Sequence, residues 1–372
     1  MGLPSSLIPQ LETEPDPRLR VGFEEASWIA TLYLMAGLPA CILGGCLSAK
    51  FGRRQVTMIA GLPLFFSWCL IAVSPSIPVI FFGRFVSALA ICSTHPSMGV
   101  FVSEISHPDW RGSLGVMPSI FLALGITKVY LLGFLFDWRT TCWICSSGSL
   151  LLSFSMWCCW ETPYWLVEND REDEARASLQ WYRGAEYDIT EEIEEIIESK
   201  NEKERIKHER KPQKHGLATL LRVMGSKTFL RPFYCAGVLY LLAQLTGVST
   251  MVLYMTNIFQ ESGSTIDPRL APVIVAGIRV VTAGMAALVL RYASRRHLFV
   301  LSTVIIFSST MTIATFSYMR TSDCCFDSSL KHSLGIIPLL AVIAMFIGHS
   351  LGVVPVVQLL AAEVRASSSC IS

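Results

Sequence analysis

The stretch "LAQLTGVSTMVLY", Leu242 to Tyr254, places Gln244, Thr246, Ser249, Thr250 and Tyr254 inside an apolar run from about Phe233 to Phe259. Hydrocarbon offers amides and hydroxyls no partners, so these side chains should face protein, water or a ligand. On an ideal helical wheel Thr246, Thr250 and Tyr254 share a face with Gly247, whereas Ser249 points elsewhere. Ser, Thr and Gly also line packed helix interfaces. Taken alone, the run reads as helix–helix glue before it reads as a binding wall.

A second set of residues carries charge at the ends of apolar runs. "SAKFGRRQ" at 48–55 and "RYASRRHL" at 291–298 each close one run and place paired arginines, Arg53–Arg54 and Arg295–Arg296, before the next. "FVSEISHPDWRG" at 101–112 and "LLAAEVRAS" at 359–367 echo each other likewise, with Glu104 and Glu363 ending a run and an arginine (Arg111 in the first) just beyond. A glutamate at the hydrocarbon edge is costly unless paired. Bridges from Glu104 to Arg53, Arg54 or Arg111 would satisfy it and would make or break as bundles move. A permanent headgroup-level anchor is the plainer reading, and repetition in both halves favours the latch.

Other chemistries find little support. The chain has 12 cysteines, mostly within apolar runs, where they read as small hydrophobes. Cys142 and Cys145 form a CxxC without further ligands, and Cys324 and Cys325 are adjacent in a polar loop. There is no clustered nucleophile, base or metal-ligand set, so neither an enzyme nor a metal, nucleotide or other cofactor site is expected. A net charge of +1 suggests no nucleic-acid partner.

The elements that must position these groups follow from composition. Of 372 residues, 52% are hydrophobic and 16% charged, against about 25% charged in a soluble protein. Apolar windows predict about nine spans, near 27–49, 55–75, 78–104, 113–136, 138–160, 232–260, 270–290, 298–319 and 334–362. The links holding Lys50, Arg53 and Arg54, then Arg111, then Arg291, Arg295 and Arg296 are the basic ones. By the positive-inside rule they are cytoplasmic, which puts the N-terminus outside and the C-terminus inside. Between about Glu161 and Lys227 the chain is charged and has no span. "EARASLQWYRG" reads as a short helix ended by Gly184, and "ITEEIEEIIESK" puts Ile189, Ile193, Ile196 and Ile197 at helical spacing. The expected organisation is an extracellular segment at 1–26, a five-helix bundle at 27–160, a cytoplasmic helical linker at 161–227 and a four-helix bundle at 228–372.

Six stretches, in order, resemble the sugar porter family of the major facilitator superfamily and, within it, the insect facilitated trehalose transporters. They are "GGCLSAKFGRR", "GRFVSALA", "VFVSEISHPDWRGSLG", "ETPYWLVENDREDEARASLQWYRG", "QLTGVSTMVLYMTNIFQESGSTID" and "SLGVVPVVQLLAAE". The resemblance implies an all-α, polytopic membrane protein of two bundles that bind sugar between them and expose it alternately to each side. It also implies that about nine of the usual twelve helices are present, the first and last two lying beyond this chain. In the family the helix at 232–260 breaks near the glycine, and a break at Gly247 would let Gln244, Ser249 and Tyr254, with Thr250, converge on a sugar.

Departures from the family are specific. Its glutamine in the fifth span falls at Ser119, its asparagine after the glycine at Ser249, and its tenth-span tryptophan at Gln358. Ala49 and Arg291 replace the acid of each arginine-rich turn, and Arg279 stands where the family has asparagine. The resemblance implies a multi-pass cell-membrane carrier of a hexose or trehalose-like disaccharide. Gln244, Ser249, Tyr254, Thr250 and Ser119 would line its site, and Arg53, Arg54, Glu104, Arg111, Arg295, Arg296 and Glu363 would gate it. The alternative is a non-transporting sugar sensor or degenerate paralogue. Oligomeric state is not legible.

Overall fold

The computed structural model describes residues 2–107, 114–115, 117–209, 227–262, 267–292, 294–321 and 336–357. Arg111, Cys324, Cys325, Gln358 and Glu363 lie outside the described residues. The described residues are helical, with no strand among them. Seven helices are long and apolar enough to cross a membrane, and the shorter apolar stretch Ala271–Ala286 adds to them. The chain divides into two compact units, one of Gln10–Pro118 and Phe136–Pro212, the other of Met1–Pro9, Ser119–Leu135 and Gln213–Ser372.

In the first unit, α2 (Phe23–Phe51), α3 (Arg53–Ala72), α4 (Ile77–Ile105) and α6 (Trp138–Cys158) form a bundle. Its contacts run through small residues. Along α2 the buried positions are Ala26, Ile29, Ala30, Tyr33, Ala36, Ala40, Gly44 and Ser48, a three-to-four spacing that makes one stripe. A Cβ on Gly44 would sit 2.1 Å from the Ser93 carbonyl oxygen, so α2 and α4 touch backbone to backbone there. On the outside, Leu38, Ile42, Phe66, Phe82, Leu151 and Phe154 are exposed, as lipid-facing side chains require.

Three further helices continue this unit: α7 (Pro163–Glu168), α8 (Glu172–Arg183) and α9 (Thr190–Glu209). They bury Trp165, Leu166, Val167, Ala175, Leu179, Ile193 and Ile196 in a core of their own, with Ile189 and Ile197 beside it. The isoleucine spacing therefore marks a packed face rather than a solvated one. Gly184 ends α8 at φ 93. Arg183 donates to both carboxylate oxygens of Glu192, at 2.8 and 2.6 Å, and to the Ile105 carbonyl at the end of α4. The Glu192 hydrogen bonds hold the guanidinium above its ordinary pKa. The segment is anchored to the bundle, which a loose tether would not be.

The second unit holds α5 (Met117–Leu135), α10 (Lys227–Leu245), α11 (Val248–Ser262), α12 (Ala271–Tyr292), α13 (Arg295–Thr321) and α14 (Ile337–Gly348). Val252, Met255 and Phe259 of α11 meet Ala271 and Val275 of α12, Ile306 of α13 and Val342, Met345 and Phe346 of α14 in one core. Tyr130 of α5 joins it and donates its hydroxyl to the Val252 carbonyl at 2.6 Å. α14 runs on into a π turn at His349–Val353, where a Cβ on Gly352 would meet Ser302 at 1.9 Å. At the chain's start α1 (Leu3–Glu12) is helical, with Leu3, Leu7, Ile8 and Leu11 buried. Ser5 shares a 2.9 Å hydrogen bond with Thr256.

Candidate functional site

The polar stretch that begins at Gln244 is built by a break. α10 ends at Leu245, Gly247 takes φ 75, and α11 begins at Val248. A side chain at that φ is strained, so glycine is what permits the turn. The Gly247 amide donates back to the Gln244 carbonyl, and Met251 donates to the Gly247 carbonyl to start α11. An unbroken helix would separate Gln244 and Ser249. The break lets Ser249 Oγ donate to Gln244 Oε1 at 2.8 Å. Gln244 and Thr250 are exposed and Ser249 is half-buried. Thr246 donates to the Ala243 carbonyl. Tyr254 sits at a kink (φ −117, ψ 20) and bonds to neither Gln244 nor Ser249. Ser119 is half-buried in the first turn of α5.

A charge cluster occupies the α2–α3 turn of the first unit. Arg53 Nη2 meets Glu104 Oε1 at 3.0 Å and Glu168 Oε2 at 3.9 Å. The Arg53–Glu104 pair has one contact, and among the described residues Arg53 Nε and Glu104 Oε2 are enclosed without a hydrogen-bond partner. Arg54 does not reach Glu104. Its Nε and Nη2 donate to the Met156 and Trp157 carbonyls at the end of α6, at 3.0 and 2.8 Å. Arg295 and Arg296 open α13 in the second unit, with Arg296 exposed.

Glu161 is the residue that sequence reasoning passed over. Its carboxylate accepts the backbone N–H groups of Arg53, Arg54 and Thr162 at 3.0–3.1 Å. The α3 N-terminus has Gly52 as its cap residue and no side-chain cap of its own. A carboxylate from elsewhere in the chain satisfies those orphan donors and faces the positive end of the helix dipole. Trp165 Nε1 donates to the Ala49 carbonyl. The turn that lacks the family's acid is thus closed by the segment after α6. The available signal was an acid at the end of an apolar run, as at Glu104, but without the internal echo.

The model of the "Sugar (and other) transporter" family matches residues 10–369. The facilitated trehalose transporter Tret1 of Anopheles gambiae is 30% identical over 341 residues, which cover 92% of this chain and 41% of that protein. Tret1 of Apis mellifera ligustica is 29% identical over 344 residues, covering 92% and 66%. The chain therefore spans only part of the length of these relatives. Among solved structures, the partially occluded inward open conformation of the xylose transporter XylE from E. coli superposes with a TM-score of 0.76 at 17% identity, covering 99% of this chain and 84% of that one. XylE bound to 6-bromo-6-deoxy-D-glucose gives 0.73 at 18%, covering 96% and 77%. At those identities the likeness establishes the fold, which is that of the major facilitator transporters. With nearly its whole length matched, a multi-pass helical chain of this fold belongs to the sugar porter family of the major facilitator superfamily.

Proposed function

We propose that this chain carries a sugar, a hexose or trehalose-like disaccharide, across the cell membrane by alternating access. The observation that carries the reading is the glycine-broken helix, which turns Gln244 and Ser249 toward each other inside a membrane span. Groups that bond one another when empty can exchange that bond for sugar hydroxyls at little net cost. Thr250, Tyr254 and Ser119 complete the wall, and the Arg53–Glu104 pair serves as a gate that rearranges between states. Arg54, Arg111, Arg295, Arg296 and Glu363 are further gating residues, with the N-terminus outside and the C-terminus in the cytoplasm. No covalent chemistry is involved. The test is uptake of labelled glucose and trehalose by cells producing the chain, with surface abundance measured in parallel. Saturable, competitor-sensitive uptake supports the carrier. Sugar binding without uptake at normal surface abundance would make it a sensor.

A further inference from the structure

Arg279 lies midway along α12, within the apolar stretch Ala271–Ala286, and has no ion-pair or hydrogen-bond acceptor for its guanidinium among the described residues. Three other arginines in or beside the spans are compensated. Arg84 donates from two nitrogens to the Ile29 carbonyl and lies over the Tyr33 ring. Arg139 donates to the Ala72 and Ser74 carbonyls, and Arg53 pairs with Glu104. Arg279 instead meets an aromatic face, the Phe346 ring at 5.5 Å. The nearby Tyr130 hydroxyl donates to the Val252 carbonyl and makes no hydrogen bond with Arg279. His349, about one helical turn beyond Phe346, adds an enclosed Nδ1 with no hydrogen-bond partner among the described residues. A cation and an unpartnered imidazole nitrogen thus share the interior of one unit, with no carboxylate beside them among the described residues.

We propose that Arg279 and His349 form an anion subsite and that the transported solute is a sugar acid bearing one carboxylate. The inference rests on the transport reading above and replaces its neutral sugar with an acidic one. An uncompensated charge in a membrane span is costly, and an arriving anion relieves that cost. The planar guanidinium fork fits a carboxylate with two parallel hydrogen bonds. The imidazole supplies a further group for a neighbouring hydroxyl. One fixed positive charge matches one negative charge, whereas a phosphomonoester, with about two, would leave one unmatched.

The experiment compares uptake of labelled glucuronate, glucose and glucose 6-phosphate by cells producing the chain, its Arg279→Asn variant or its Arg279→Lys variant, each normalised to surface abundance. Glucuronate should enter saturably and in preference to the other two. Arg279→Asn should weaken its apparent affinity by about ten- to a hundredfold, the usual consequence of losing a charged hydrogen-bond partner. Arg279→Lys should keep part of it. Uptake of glucose with exclusion of glucuronate overturns the anion subsite and leaves the transport reading standing. So does glucuronate uptake that is indifferent to Arg279→Asn. Uptake of none of the solutes at normal surface abundance overturns both. If Arg279→Asn does not reach the surface, the solute ranking of the unmodified chain decides.

Discussion

The Glu161 carboxylate accepts the main-chain N–H groups of both Arg53 and Arg54, so a residue beyond α6 caps the helix that follows α2. Glu161 is itself only 8% exposed. Replacing it with alanine strands enclosed donors at the α3 N-terminus. Glu161→Ala should destabilise the first unit by about 1–3 kcal/mol, the cost of leaving such groups unmade. Thermal unfolding of the purified protein in detergent measures this. A midpoint equal to that of the unmodified chain would remove the capping role.

Gly52 makes that capping geometry available. It has φ 98, and a Cβ there would lie 2.3 Å from Glu161 Oε2. Gly52→Ala therefore imposes both a left-handed alanine and a clash with the cap. The expected loss is of order 1–3 kcal/mol from backbone strain alone, read in the same unfolding assay. Combined with Glu161→Ala, the backbone strain should add in full, whereas the loss from the clash should vanish, because the carboxylate it strikes is gone.

The single-contact pairing of Arg53 with Glu104 suits a bond that is remade during a cycle. Glu104→Gln retains shape and removes charge, leaving Arg53 with Glu168 at 3.9 Å. Maximal uptake should change with KM for sugar little altered, because the pair lies outside the binding wall. A raised KM at unchanged maximal rate would contradict a gating role.

At the broken helix, Gln244→Leu removes the acceptor of the Ser249 hydroxyl and one partner for sugar. Binding should weaken by about 1–3 kcal/mol, measured by equilibrium binding or by inhibition of uptake. Unchanged affinity at normal surface abundance would return Gln244 to helix packing.

Orientation is testable with two exposed sites, Arg18 before α2 and Ala185 between α8 and α9. Arg18→Cys should gain reactivity toward an impermeant thiol reagent on intact cells, and Ala185→Cys only after permeabilisation. The difference is taken against the native cysteines. The reverse pattern would invert the topology inferred from the basic links.

The membrane class and the helical, unspanned character of the charged segment after α6 were legible in the sequence because they depend on composition and on spacing within single segments. Of the nine or so spans expected, the described residues show seven long apolar helices and one shorter stretch. Long apolar runs must satisfy their backbone internally, so they form helices whatever their neighbours do. The isoleucine register of α9 and the stop at Gly184 are equally local. Even the break at Gly247 was anticipated, although from family likeness rather than from periodicity.

Partners distant in the chain were decided only by tertiary structure. Nothing near Arg53 in sequence distinguishes it from Arg54, yet one meets Glu104 and the other two carbonyls at the end of α6. Glu161 had no echo in the second half, so its capping role emerged only once α3 and the end of α6 met. Ser249 turned toward Gln244 because one backbone angle departed from helical, a change that a helical wheel cannot represent. Arg279 was visible as a charge within a span, but that it meets the Phe346 ring, and no acid among the described residues, is a property of the helices packed around it. Local composition sets which segments enter the bilayer, because each residue meets lipid or water individually. Which side chains share a site depends on how helices cross, and that is settled by packing among all of them at once.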